Sequence, residues 1–457
     1  MRIKIRRPAF AWFLIALVCV FGLADGAFAS DKKDSVLYSF QGGNDGIYPA
    51  GGVVFDQQGN LYGATTYGGG SDDDCVGGSC GTIFELSPPQ PGFPNWTETQ
   101  LYVFKGGGDG ELPTSGLVFD QSGNLYGVTA YGGTGPCTLG SRVGCGTVFK
   151  MTPPSEPGGV WTENVIYSFQ SGRDGYHPAG NLIFDAAGNL YGSTTFGGIS
   201  TSSCNEFYQG CGTVFELRPP RTKGGAWSER VIYTFQSGTD GAGPVGGLIL
   251  DSDHNLYGAT NSGGDPNCGS YGLGCGTVFR LTKPPKGSGA WNEKVLHRFA
   301  GGNDGAYPEA GVVRDQKGNL FGTTSSGGGS REGEGSVFEI TPPRKPGGLW
   351  KERVILSFNY NDGASPMASL TLNRAGSLYG TALGGQGGGT IFEMIPSQGD
   401  KAIPSWEHNL LYSFEKPPDA GQPEAPLIFG RGGTLYGITL YGGSANYGAV
   451  FTFVPQQ

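Results

Sequence analysis

The chain has 457 residues, with 30 Lys and Arg against 39 Asp and Glu, and its net charge at pH 7 is −9. An acidic surface repels nucleic acid phosphates and anionic lipids, so these two classes of partner are disfavoured. The 86 Gly and 30 Pro residues would indicate disorder if they were scattered. They instead separate short apolar segments at regular places, and we therefore expect an ordered, repetitive fold.

The first 29 residues have the pattern of a secretory signal peptide. Four basic residues lie within the first seven, an apolar run follows over residues 10–23, and an Ala-Phe-Ala word ends at Ala29. The run is too short for a comfortable membrane span, and no later segment is longer and as apolar. We expect a secreted or periplasmic mature chain, residues 30–457, with no membrane span and a net charge of −12.

One sequence motif, which contains the segment YSF or a close variant, recurs through the rest of the chain. The Phe of its YSF segment returns at intervals of 56 to 66 residues, a period that suits four short strands joined by turns. The apolar residues alternate as in strands, and no helical period appears. The seven copies are marked by Phe40, Phe104, Phe169, Phe235, Phe299, Phe358 and Phe414.

The third copy illustrates the predicted strands. NLIFD (residues 181–185) and NLYGSTT (residues 189–195) are joined by a tight turn that indicates a hairpin. GTVFEL (residues 212–217) follows a variable loop, and ERVIYTF (residues 229–235) follows a Pro-rich connection. Seven four-stranded antiparallel units favour an all-β fold, a seven-bladed β-propeller in a single domain. A linear β-solenoid is the structural alternative.

The two ends of the repeat complement each other. The seventh unit, residues 427–453, stops one strand short, while an extra VLYSF segment stands near the N-terminus at residues 36–40. We predict that this N-terminal segment supplies the outermost strand of the last blade. Closure of this kind would also hide sheet edges that otherwise invite aggregation.

Eight cysteines follow the predicted cleavage site, two in each of the first four repeats. Each pair lies in the loop between the second and third strands, and its second member directly precedes the Gly that opens the third strand. The even number, the local pairing and the exported context predict four disulfides within blades, with a zinc site as the alternative. The pairs are Cys75 with Cys80, Cys137 with Cys145, Cys204 with Cys211, and Cys268 with Cys275.

A second word, DGxxP or a close variant, recurs in the connections between repeats. Turn chemistry explains it if Asp-Gly reverses the chain and Pro sets the direction of the inner strand. Alternatively, the carboxylates form a ring in channel-side loops and bind a divalent cation or a polyhydroxyl ligand. The aspartates are Asp45, Asp109, Asp174, Asp240, Asp304, Asp362 and Asp419.

Two other features bear on binding. Arg314 stands where other inner strands have an apolar residue such as Phe55, so it could line the channel or pair with an acid in the core. Six Trp residues open the outermost strands and could stack on sugars, but their regular placement favours a packing role. They are Trp96, Trp161, Trp227, Trp291, Trp350 and Trp406.

Units such as GLVFDQSGNLYGVTAYGG followed by CGTVFKMTPP resemble the GloVer tandem repeats of exported bacterial proteins. These proteins are called choice-of-anchor because different members end in different surface-sorting signals. The resemblance covers essentially the whole mature chain and implies an extracytoplasmic repeat protein, with no established activity or catalytic residue. This chain ends in VFTFVPQQ, without a recognisable anchor. Its D-x-x-GNLYG hairpin is also similar to that of gluconolactonase-like and NHL propellers.

No catalytic signature stands out from the repeats. The four His residues are scattered, and no GxSxG, HExxH or Walker word occurs in a suitable context. We expect a monomeric exported binding module whose partner is a glycan, a protein or a small molecule. Candidate binding residues are the seven aspartates and Arg314; no cofactor is expected, although a divalent cation would suit the acids. The alternatives are a propeller enzyme acting on a carbohydrate or lactone-like substrate at the central channel, and a passive structural protein.

Overall fold

A computed structural model describes the chain from residue 34 to residue 455. Within it the chain is all-β and forms a seven-bladed β-propeller of antiparallel sheets. No helix of this described part has the length and apolar character needed to cross a membrane. The predicted signal peptide, residues 1–29, lies outside the described residues and stays a prediction. The described residues are 34–70, 75, 78–156, 158–198, 204, 210–269, 272–284, 289–329, 333–345, 347–385, 387–397, 405–415 and 417–455.

The first four blades carry their strands in sequence order from the inner to the outer edge. Blade one contains Ile47–Phe55, Leu61–Tyr67, Thr82–Ser87 and Thr97–Val103. Blade two contains Glu111–Pro113 with Val118–Phe119, Leu125–Tyr131, Thr147–Thr152 and Thr162–Ser168, and a small hairpin of Thr138–Leu139 and Arg142–Val143. Blade three contains Tyr176–Phe184, Leu190–Phe196, Thr213–Arg218 and Ser228–Thr234. Blade four contains Ala242–Leu250, Leu256–Ser262, Thr277–Thr282 and Asn292–Arg298.

The last three blades have shorter inner strands. Blade five contains Val313–Arg314, Leu320–Thr324, Ser336–Thr341 and Lys351–Ser357. Blade six contains Thr371–Leu372, Leu378–Ala382, Thr390–Pro396 and Trp406–Ser413. Blade seven contains Ala420–Gly421, Ile428–Phe429, Leu435–Thr439, Tyr441–Gly442, Ala449–Phe453 and Asp34–Ser39. Single turns of 3-10 helix are Gly43–Asp45, Gly107–Asp109, Gly172–Asp174, Gly302–Asp304 and Arg431–Gly433.

The ring closes through its own two ends, as predicted. Strand Asp34–Ser39 pairs antiparallel with Ala449–Phe453 and becomes the outer strand of blade seven. Val36 lies opposite Phe451, and Tyr38 lies opposite Val450. This pairing confirms the predicted closure and excludes the linear solenoid.

An aromatic pair repeats at all seven junctions between blades. The Phe after each outer strand packs edge-on against the central Phe of the next blade's third strand, with ring centroids 5.1 or 5.2 Å apart. Gly63 of the LYG word borders the same ring, since a Cβ there would lie 2.5 Å from Phe84 Cζ. The residues of the repeated YSF, LYG and TVF motifs therefore pack together as one unit. The pairs are Phe40 with Phe84, Phe104 with Phe149, Phe169 with Phe215, Phe235 with Phe279, Phe299 with Phe338, Phe358 with Phe392, and Phe414 with Phe451.

Inner strands of neighbouring blades approach each other closely around the axis. A Cβ on Gly51 would lie 1.9 Å from the backbone nitrogen of Gly116 in the next blade, so only glycine fits there. In the third repeat the inner strand begins at Tyr176, five residues before the predicted start at residue 181. The DGxxP word joins the strand because Tyr176 and Pro178 pair with the second strand ahead of a break in register.

The cysteine loops and the inter-blade connections share one face, which we call the connection face. The residue before each DGxxP proline has left-handed backbone, with φ between 49° and 61°. Its backbone N–H donates to a carbonyl of the preceding blade; the N–H of Leu112, for example, lies 3.0 Å from the Cys80 oxygen. A conformation that strains a side-chain-bearing residue is thus held by an inter-blade hydrogen bond. The seven residues are Tyr48, Leu112, His177, Gly243, Tyr307, Ser365 and Gln422.

All four predicted disulfides are present, and they exclude the alternative of a zinc site formed by these cysteines. The bonds join Cys75 to Cys80, Cys137 to Cys145, Cys204 to Cys211, and Cys268 to Cys275. Their Cα atoms are 5.0 to 5.5 Å apart, within the ordinary range for a disulfide.

Candidate functional site

The aspartates of the DGxxP words lie against outer strands, at the junctions between blades. Asp174 shows the arrangement: Oδ1 accepts a hydrogen bond of 2.7 Å from the Tyr167 hydroxyl, and Oδ2 accepts one from the Gln170 N–H. Asp45, Asp109, Asp240 and Asp419 likewise accept from an outer-strand Tyr. Asp304 pairs with His297 instead, and Asp362 bonds with Asn359. Each Asp closes its own loop, as the turn explanation expects; ligand binding by these residues stays a prediction.

A glutamate from the next outer strand faces the aspartate at five junctions. These are the Glu residues two positions after a Trp: Glu98, Glu163, Glu229, Glu293 and Glu352. In all five, Oε1 is buried and has no hydrogen-bond partner within the described structure. Burial, followed by the charge of Asp109, raises the pKa of Glu163 to about 8. A carboxyl group that stays protonated near neutral pH can share a proton with the neighbouring carboxylate.

A cleft opens at the junction between blades two and three. Its volume is about 610 Å³, and it is bordered by Tyr167, Arg173, Asp174, Glu229 and Val231, together with two further polar residues, Gln170 and Thr234. It is open to solvent along one side. The Tyr, Asp and Glu triad is therefore reachable from outside, although it lies away from the propeller axis.

Arg314 makes a contact that the sequence did not indicate. Its guanidinium carbon lies 5.9 Å from the centroid of the Tyr257 ring in the preceding blade. At the equivalent place in blade one, Phe55 packs edge-on against Tyr436. In blade five a cation–π contact of Arg314 therefore takes the place of the aromatic pair found in blade one. A role of this residue in ligand binding remains a prediction.

The Trp residues pack between blades. Each contacts an aromatic ring on the second strand of the preceding blade, with centroids 5.5 to 6.4 Å apart. Trp291, for example, is 5 % exposed and lies 6.1 Å from Tyr191. The predicted packing role of the tryptophans is confirmed.

A chain of partly exposed aromatic side chains lies on the connection face, at the ends of the two innermost strands. Tyr48 contacts Tyr441 and Tyr67, with centroids 5.0 and 6.1 Å apart. Farther along, His177 contacts Tyr131 at 5.2 Å and Phe196 at 5.6 Å. Phe196 also contacts Tyr176 at 5.3 Å.

Arg142 bridges the two halves of this chain. Its guanidinium carbon lies 5.8 Å from the Tyr67 ring and 5.4 Å from the Tyr131 ring. Its Nε donates to Glu111 Oε1 at 3.0 Å, and the Glu111 side chain is 3 % exposed against 22 % for Arg142. We call the whole set the aromatic belt: Tyr48, Tyr67, Arg142, Tyr131, Tyr176, His177, Phe196 and Tyr441.

The electrostatics of the belt favour neutral rings beside one fixed cation. Burial lowers the pKa of His177, whose Nδ1 is buried and unpaired among the described residues, so the imidazole is neutral at pH 7. Burial raises the pKa of Tyr131, so its hydroxyl keeps its proton. Arg142 stays charged, since its pKa is raised through contacts with Tyr67 and Glu111 that outweigh burial.

The belt breaks the symmetry of the repeat and was missed in the sequence. It covers blades seven, one, two and three, whereas the places of Tyr67 and Tyr131 hold Ser262, Ser326 and Gly384 in blades four to six. This change of residue type at one repeat position is a signal that an alignment of the seven units could have shown. The position of Arg142 gave no such signal, because it lies in a loop of variable length.

Comparisons with known proteins show which family the chain belongs to. No curated protein matches the chain. Three solved structures share its general outline. A protein provisionally named 6-phosphogluconolactonase from Bacteroides uniformis is 12 % identical with a TM-score of 0.46, and the match covers 78 % of this chain and 83 % of that chain. A protein of unknown function from Dyadobacter fermentans is 11 % identical with a TM-score of 0.45 (93 % of this chain and 98 % of that chain covered), and a glucose dehydrogenase is 15 % identical with a TM-score of 0.43 (93 % of this chain and 99 % of that chain covered).

Likenesses at TM-scores below 0.5 carry no argument about what this chain binds or does. The Gloeobacter/Verrucomicrobia repeat matches the chain three times, over residues 26–203, 135–345 and 270–457. These matches together span the blades described above and confirm the resemblance found in the repeated words. The chain belongs to the Gloeobacter/Verrucomicrobia repeat family.

Proposed function

We propose that the protein is an exported binding propeller that holds a carbohydrate on the aromatic belt. The observation that carries this proposal is the asymmetry of the belt: four adjacent blades end their second strand in an aromatic residue, at the position that holds Ser or Gly in blades four to six. The blade core needs no aromatic residue at this position, because blades four to six are built without one. The four disulfides support an oxidising, extracytoplasmic location.

A sugar ring suits the chemistry of the belt. Its axial C–H groups carry a small positive charge and pack well against the electron-rich faces of Tyr rings. Binding sites of this kind combine aromatic walls with a few polar groups that set orientation. Arg142 and the partly exposed Tyr hydroxyls supply those groups, and Arg142 is held in place by the buried Glu111 carboxylate.

A glycan array probed with the full mature chain tests the proposal. We expect retention of one class of oligosaccharide, followed by measurable heat on titration with the retained sugar. Tyr67→Ser places at this position the residue that blades four and five carry, so it should preserve the fold. It should weaken sugar binding at least 10-fold, since a stacking face is lost.

The control is Tyr360→Ser, which removes an exposed Tyr at the junction of blades five and six. This variant should bind the sugar as the parent does. The absence of any retained oligosaccharide, or equal affinity in the parent and Tyr67→Ser, would overturn the proposal. Release of new reducing ends or ring-opened product during incubation would instead assign the protein to the alternative class, an enzyme acting on carbohydrate.

A further inference from the structure

The junction between blades four and five differs from four of the other junctions in one residue. Four junctions combine an outer-strand Tyr, the DGxxP aspartate and the glutamate of the next outer strand. At this junction His297 replaces the Tyr, and it faces Asp304 and Glu352. The backbone framework is the same, because Asp304 Oδ2 accepts from the Ala300 N–H just as its equivalents do in their loops.

The three side chains place possible metal ligands close together. His297 Nε2 lies 3.0 Å from Asp304 Oδ1, and one ligand atom from each of the three residues lies within 4.8 Å of the others. Ligand atoms around a four-coordinate Zn²⁺ are about 3.4 Å apart, given metal–ligand bonds of about 2.0–2.2 Å.

The glutamate has a free ligand atom at this junction. Glu352 Oε1 is buried and accepts no hydrogen bond from the described residues, a feature that it shares with the glutamates of the four Tyr junctions. Two carboxyl groups side by side need either a shared proton or a cation between them. At the four Tyr junctions the phenol hydroxyl is a poor metal ligand while it keeps its proton, whereas a neutral imidazole is a good one.

We propose that His297, Asp304 and Glu352 form a binding site for a first-row divalent cation, best matched by Zn²⁺. Imidazole nitrogen with carboxylate oxygen suits Zn²⁺ better than Ca²⁺ or Mg²⁺, which prefer oxygen ligands alone. The His297 and Asp304 side chains are 20 % and 22 % exposed, so water can reach the site and complete the coordination. The cation joins the outer strands of blades four and five, and these three positions suffice to hold it.

Titration of the untagged, chelator-treated mature chain with zinc chloride tests the site. We expect one Zn²⁺ per chain, a rise in the melting temperature on binding, and at least 100-fold weaker response to calcium or magnesium chloride. Substitution by Co²⁺ should give visible absorption bands typical of a coordinated ion. A chain that takes up no Zn²⁺, or that responds equally to Ca²⁺, would overturn the proposal.

Two variants test the site by exchanging residues between equivalent junctions of the repeat. His297→Tyr restores the residue of the other junctions, so the fold should persist while Zn²⁺ affinity falls at least 100-fold and the thermal shift disappears. Tyr167→His creates the same three residue types with Asp174 and Glu229, and the stoichiometry should rise to two. Unchanged affinity in His297→Tyr would place the metal elsewhere. A stoichiometry of one in Tyr167→His would contradict the claim that these three positions suffice.

Discussion

The carboxyl group of Glu163, on the outer strand of blade two, lies beside the carboxylate of Asp109 in the connection that leads into that blade. Asp109 is itself held by the Tyr102 hydroxyl at 2.6 Å. The two acids lie far apart in the sequence and meet only when blades one and two pack together. Because both are partly buried, the proton on Glu163 contributes to the stability of the junction.

We predict that the protein is less stable in mild alkali than near pH 6. Burial, followed by the neighbouring aspartate, raises the pKa of Glu98 and Glu293 to about 7 and that of Glu163 and Glu229 to about 8. The folded state therefore binds more protons than the unfolded chain at pH values between the ordinary glutamate pKa and 8. Stability from these protons is complete below the unfolded pKa and is lost as pH rises through 7 to 8. The melting temperature should fall by roughly 5 °C between pH 6 and pH 9.

The variant Glu163→Gln isolates one of these groups. Its amide keeps a hydrogen-bond donor for Asp109 and has no proton to lose, so the variant should melt at roughly 1–2 °C above the parent at pH 9. At pH 5 the two should melt together. Glu156→Gln, in the exposed connection of the same blade, is the control and should follow the parent at both values of pH. A constant difference between Glu163→Gln and the parent across this range would contradict the prediction.

Much of the fold could be predicted because its signals are local. The four strands, the disulfides and the closing strand depend on words of a few residues, such as the VLYSF segment that pairs beside Phe451. The inner strand was harder, since its register breaks between Ala179 and Ile183 where glycines let neighbouring blades approach. Left-handed backbone at Tyr48 or Leu112 had no sequence signal, because these residues rarely adopt it.

The candidate site could be predicted much less well. The aspartates were singled out, but their partners are residues such as Glu163, which lies 54 positions after Asp109. Contacts over such distances depend on how neighbouring blades pack, and one sequence does not show this. The aromatic belt likewise depends on Arg142, which is positioned by a variable loop between Cys137 and Cys145.

The disulfide between Cys137 and Cys145 should support both stability and binding. Replacing both residues by Ser should reduce the free energy of unfolding by about 2 kcal/mol, measured by denaturant titration, because a short loop gains freedom in the unfolded chain. It should also weaken carbohydrate binding, since the loop carries Arg142. Replacing Cys268 and Cys275 by Ser is the matched control: a similar loss of stability is expected, with binding retained. Equal binding in the two double variants would show that the first loop does not position the site.

Arg314 should tolerate the residue that its neighbours carry. In Arg314→Phe an edge-on contact with Tyr257 replaces the cation–π contact, and this is the arrangement of Phe55 with Tyr436. The free energy of unfolding should change by less than about 1 kcal/mol, and carbohydrate binding should be unaffected. A binding defect in Arg314→Phe, with unchanged melting temperature, would show that this residue contacts the ligand, as the sequence analysis allows.

The closing strand should be as important to stability as an internal junction. Phe40 is fully buried beside Phe84, just as Phe104 is buried beside Phe149. Phe40→Ala should therefore reduce the free energy of unfolding by about 3–5 kcal/mol, and Phe104→Ala should do the same. Phe93→Ala, at a position 68 % exposed, is the control and should change little. A much smaller effect for Phe40→Ala than for Phe104→Ala would mean that the N-terminal strand is only loosely attached in solution, because removing a packed ring costs little where the strand is already free to leave.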